Sequence, residues 1–214
     1  MTSEKKLSFR HAVPVAAALA PFLFVAGAHA EAVPAPAVPD APLVTTFADL
    51  CVPARGDLEG TRAALEAAGW AEATGDEAPE LFGVTAALDI EAINVRGENG
   101  TQEYTLYANA DSPFFVLLIE VAREGATLVT CQLLDLDAEE SVDAEALSEW
   151  LGADPNGVIE QPERVMAHIW DFSTTLPMTS ITQLFIPDGS PENAITGFTG
   201  DSLSLSQFVG SQPE

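Results

Sequence analysis

Basic charge is what this chain of 214 residues has least of. Its 8 Lys and Arg face 33 Asp and Glu, a formal net charge of −25, and no lysine follows Lys6. Binding through nucleic-acid phosphates works by counterion release and needs a basic stripe, so this class of function is excluded. Attraction to an anionic membrane surface needs clustered Lys and Arg and is excluded on the same ground. Cysteine is scarce as well. Cys51 and Cys131 are the whole supply, with no Cys-x-x-Cys, and His168, the one histidine beyond residue 30, does not complete a zinc set. Beyond the first thirty residues no run is long and apolar enough for a membrane span. No repeat of fixed period is visible. What the chain does have is 47% apolar residues over about one domain's length, enough for a core and too much for a wholly disordered protein.

Residues 1–30 read as a secretory signal peptide. Lys5, Lys6, Arg10 and His11 form a basic start, Ala12 to Gly27 an apolar stretch interrupted by Pro14 and Pro21, and Ala28-His29-Ala30 an A-x-A cleavage site. A spanning anchor wants about 20 apolar residues, and no cysteine marks a lipoprotein junction. The style is bacterial, so the expected address is the periplasm, with secretion to the medium as the other possibility. Removal of 1–30 leaves five arginines against 32 acids. Such a balance keeps a protein soluble and monomeric through self-repulsion; adaptation to high salt or attraction to a basic partner are other readings.

Glu31 to Leu43 holds four prolines and reads as an extended polyproline-II tether, leaving 44–214 as one globular domain. Folding is expected to begin near Thr45, with Thr46 and Asp49 as a capping box and Phe47, Leu50 and Cys51 on one helix face before Pro53. A firmer helix is predicted over 57–68, ended by Gly69, with Trp70 folded back on it. Residues 71–80 read as acidic loop, and 81–95 fit strand or helix. From 102 the period turns to two. Tyr104 to Ala108, Phe114 to Val121 and Thr127 to Leu134 read as strands, the last two a hairpin over Arg123-Glu124-Gly125. A helix follows over 142–151, closed by Gly152, then strands at 164–172, 181–186 and 194–198. The expected fold class is α+β, a mainly antiparallel β-sheet with two principal helices.

An even cysteine count in an oxidising compartment reads as a disulfide. Cys51 shares a helix face with Phe47, and Cys131 shares a strand face with Val129 and Leu133, so both are expected to point inward and bond.

Several motifs resemble chemistry. Gly200-Asp201-Ser202-Leu203 resembles the nucleophile block of the GDSL esterases, which implies a serine nucleophile at Ser202. That family places its serine early and its Asp and His later, whereas here eleven residues follow Leu203, none of them His. A tight turn into a last strand is the simpler reading. His168 lies in V-M-A-H-I-W-D-F, one strand face with Met166, Trp170 and Phe172, and is the one side chain after residue 30 whose ordinary pKa lies near neutrality. Asp135 to Glu145 is acidic enough for a cation, but Glu140 stands where an EF-hand needs glycine and Ala146 where it needs glutamate. Its simpler role is negative charge at a helix N-terminus. Asn99-Gly100-Thr101 is a formal glycosylation sequon that reads as a turn in a bacterial periplasm.

These residues name no catalytic set, metal site or cofactor. The expected function is an exported, non-catalytic binding or accessory protein whose partner is an envelope protein or a small ligand. A carboxylate-dependent hydrolase is the alternative, favoured by a pocket with two converging acids. A small-molecule or lipid carrier using Phe114, Phe115, Trp150 and Trp170 is another, favoured by an open cavity beneath the sheet.

Overall fold

The computed structural model describes residues 36–74, 81, 101–123 and 125–210. The expected signal peptide, most of the expected tether, the segment 82–95 and the sequon's Asn99 lie outside them.

The first helix, α1 (Pro42–Leu50), buries Leu43, Val44, Phe47 and Leu50. It begins before Thr45, because Pro42 at its first turn has a preset φ and lacks one of the N–H groups that a helix start leaves without partners. The expected Thr46–Asp49 capping box does not form: Ala41 is the N-cap, with no side-chain bond. Leu43, which composition assigned to the tether, is 4% exposed. Helix α2 (Leu58–Ala67) follows its prediction closely. Asp57 accepts from Gly60 N at 3.0 Å, Gly69 takes φ +84°, and Trp70 N donates to Leu65 O at 3.0 Å, which folds the indole back.

Among the described residues eight strands build one antiparallel sheet. β1 (Ala71–Glu72), β2 (Thr101–Ala108), β3 (Phe115–Arg123) and β4 (Ala126–Asp135) form one meander. Helix α3 (Ala144–Leu151) then crosses to β5 (Gly157–Gln161), β6 (Val165–Trp170) and β7 (Ser180–Ile186). A short helix α4 (Pro191–Thr196) leads to β8 (Gly200–Val209). The order is β1-β2-β3-β4-β8-β7-β6-β5, so the two meanders join at their last strands.

The architecture is α+β as expected, with four helices among the described residues where two principal ones were expected. Ala194 to Phe198, expected as a strand, falls largely in α4. Ser190 caps Asn193 N at 3.1 Å, Pro191 opens the helix and Gly197 closes it at φ +68°, end signals that override the apolar spacing. β5 was not expected; it is an edge strand with Val158 52% and Ile159 48% exposed.

One face of the sheet carries α1, α2 and α3. Their residues Phe47, Leu65, Leu147, Trp150 and Leu151 pack with Tyr107, Val116, Leu118, Leu133, Trp170, Ile181, Leu203 and Leu205 from six strands. Cys51, just after α1, and Cys131, on β4, form the expected disulfide across this interface, with Cα atoms 5.6 Å apart and 80 positions between them. A smaller cluster on the opposite face holds Leu81, Leu106, Leu117, Leu134, Ile186 and Phe198. Among the described residues no helix is long and apolar enough to cross a membrane.

Candidate functional site

The Gly-Asp-Ser-Leu block starts β8, and each of its residues has a packing role. Gly200 has φ +98°, and a Cβ there would run into the backbone of Asp135 on β4. Leu203 is fully buried among the helices. Ser202 is 1% exposed and its Oγ donates to Leu184 O at 3.3 Å. Successive strand residues alternate faces, and register partners share one. By that rule Ser202, opposite Leu184 and Leu134, lies on the face away from the helices, while His168, opposite Gln183, lies on the helix side. The sheet therefore separates serine from histidine, and the esterase resemblance does not extend to a working pair.

Asp201 is the side chain in the block with unusual chemistry. It is 1% exposed, and burial pushes its carboxyl up to about 6 against three hydrogen bonds that favour the ionised form. Its Oδ2 accepts from Val142 N at 2.7 Å and from Gln183 Nε2 at 3.4 Å, and its Oδ1 from Ser202 N at 2.9 Å. Gln183, itself fully buried, also donates to Val142 O at 2.7 Å and Ser141 Oγ at 2.9 Å. The pair thus clamps the loop before α3 onto the sheet.

Asp135 is the register partner of Asp201, and burial raises its carboxyl too. Both line a cavity of about 140 Å³ with Glu140, Val142 and the start of α1. Two acids do converge here, the feature that favours a hydrolase. Acid–base pairs, however, work by having their affinities pushed apart, and here both move upward. Ligand pockets also run from about 300 Å³. The arrangement suits a latch better than a substrate site.

His168 is 3% exposed, stacked at 5.9 Å from the Trp170 ring, with Nε2 3.4 Å from Glu160 Oε1. It is a packed strand residue on the face shared with Met166 and Trp170. Phe172 lies beyond the end of β6 and is 77% exposed. The acidic run 135–145 contributes the end of β4, the clamped loop and the start of α3, where Asp143 accepts from Glu145 N at 2.9 Å. Of the aromatics proposed for a carrier, Trp150 and Trp170 are core residues. Phe114 and Phe115 border a cleft of about 410 Å³ at the β1–β2 edge, with Glu72 and Asn109.

A different arrangement is not visible from motifs at all. The described strands hold six acids: Glu72, Glu103, Glu120, Asp135, Glu160 and Asp201. Register places all six on the helix side. Among the described residues the opposite face has no carboxylate at any strand position. Its centre is hydroxyl and amide: Thr130 and Gln132 on β4, Ser204 and Ser206 on β8, Ser180 and Thr182 on β7, all partly exposed. Thr130 and Ser206 bond each other at 2.8 Å, and Gln132 Nε2 donates to Ser202 Oγ at 3.2 Å. Apolar side chains stand at the margins: Tyr104 on β2 is 38% exposed and Phe208 on β8 61%. The β6–β7 loop packs instead on the helix side, where Ser173 Oγ donates to Leu151 O at 2.9 Å and Leu176 joins the core; it exposes Phe172 at 77% and Met178 at 79%. Met178 has φ +64°, uncommon for a residue with a side chain. Asp171 in the same loop is held to Ser180 Oγ at 2.6 Å and Asn156 Nδ2 at 2.9 Å, bonds that keep its carboxyl below the usual range.

Comparison of the chain with protein-family models, with curated proteins and with solved structures finds no match.

Proposed function

We propose that the protein is an exported, non-catalytic binding module and that its working surface is the sheet face away from the helices. One observation carries this reading: in a chain of net charge −25, all six strand acids lie on the other face. A solvated acidic surface needs no such segregation, since a carboxylate at a half-exposed strand position improves solubility. A surface that meets a partner does need it, because an unpaired carboxylate desolvated at an interface costs several kcal/mol. The signal-like N-terminus and the disulfide support an oxidising compartment, the periplasm or the medium.

The test is capture from envelope extract by the oxidised protein at low and at high salt, read by mass spectrometry. A partner held through a carboxylate-free face stays bound at high salt, where surface charge attraction is screened. A partner lost at high salt points to the acidic surface instead and refutes the assignment of this face.

A further inference from the structure

This inference rests on the reading of the carboxylate-free face as the working surface, and it names the ligand class. We propose that the face binds a neutral polyhydroxylated chain, that is, a glycan.

Charge narrows the ligand first. The field of a chain with net charge −25 repels anions. The face offers no strand carboxylate to hold a cation or a basic peptide. A neutral ligand is the one that this combination admits without penalty.

The layout separates a glycan from a protein partner. Protein interfaces have an apolar centre and a polar rim, and serine and threonine are under-represented among their energetic anchors. Here the order is reversed: hydroxyls and an amide occupy the centre, while Tyr104 and Phe208 are exposed apolar side chains at the margin. Sugars present the matching surfaces, hydroxyl edges for hydrogen bonds and C–H faces for aromatic rings.

Geometry adds repetition. Thr130 and Ser206 are register partners on β4 and β8, and Ser204 and Thr182 on β8 and β7. Rows of this kind repeat about every 4.8 Å across strands and about every 6.8 Å along them, a rigid lattice suited to an extended chain. Among the described residues no hydrogen bond uses the side chains of Thr182 or Ser204. Their hydroxyls remain available to a ligand.

The experiment titrates the oxidised, isotope-labelled protein with chitohexaose and, in a parallel arm, cellohexaose, followed by amide chemical shifts. Saturable shifts at Thr130, Thr182, Ser204 and Ser206 are expected in at least one arm. The double substitution Thr182→Ala with Ser204→Ala is expected to weaken that binding about fivefold or more, as loss of net hydrogen bonds does, without lowering the melting temperature. Phe208→Ala, which removes an exposed ring and cannot empty the core, should weaken it by a similar factor. Shifts absent in both arms, or confined to the helix-covered side, overturn the inference. If neither glycan binds but a protein is captured at high salt and lost on Ser204→Glu, the glycan inference fails and the surface assignment stands. If neither glycan binds and nothing is captured, both fail.

Discussion

The two faces of the sheet obey different rules. The helix side is apolar at its centre, crosslinked by Cys51–Cys131, and carries every strand acid at its ends and edges. The other side is apolar only in part, polar at its centre and, among the described residues, free of strand carboxylates. Stability is concentrated on the first face, so the second is freer to serve recognition. The difference shows that acidity here is placed, and is not a uniform coat.

The largest effect should come from breaking the helix side. Cys51→Ser and Cys131→Ser each remove the same closure of 80 positions. Both should lower the melting temperature equally, with a loss of at most about 4–5 kcal/mol on the chain-entropy model. Unequal losses would mean that one thiol has a second role.

A pH series sharpens the comparison at Asp201. Its carboxyl titrates at about 6 in the folded protein, against about 3.9 in an unfolded chain. Between those values the folded state holds more protons, so its contribution is fully present below about pH 4 and is lost as pH rises to about 6, by about 3 kcal/mol at most. Asp201→Asn should abolish that slope in chemical denaturation; a slope that survives would assign it to other groups, Asp135 first.

The smallest effect is expected on the hydroxyl face. Thr182→Ala and Ser204→Ala should each change stability by less than about 0.5 kcal/mol, the range of surface substitutions outside special features. A loss of 2 kcal/mol or more, roughly what core truncations cost, would make this face structural and erase the contrast.

Much of the helix side was legible in sequence. Asp57, Gly69 and Trp70 marked the ends of α2, Gly152 closed α3, and period-two alternation gave β2 to β4 and the inward pointing of Cys131. The hydroxyl face was not, for two reasons. Ser202, Ser204 and Ser206 alternate with Leu203 and Leu205, a plain strand pattern that does not distinguish a hydroxyl row from any other half-buried strand face. The rest of the face is assembled by pairing β4 with β8, which are 65 positions apart from the end of one to the start of the other. No local signal specifies that register. Burial of Asp201 was likewise invisible, because its partners Gln183 and Val142 come from a distant strand and a loop.

The measurement that bears most directly on the account compares one added acid on each side of the molecule. Ser204→Glu places it on the hydroxyl face, and Ala67→Glu on the exposed surface of α2. Binding of the ligand or partner that the unaltered protein retains at high salt is then measured for both folded variants. The account predicts at least about a tenfold loss for Ser204→Glu, the cost of desolvating an unpaired charge, and no change for Ala67→Glu. Equal binding by the two variants would contradict it.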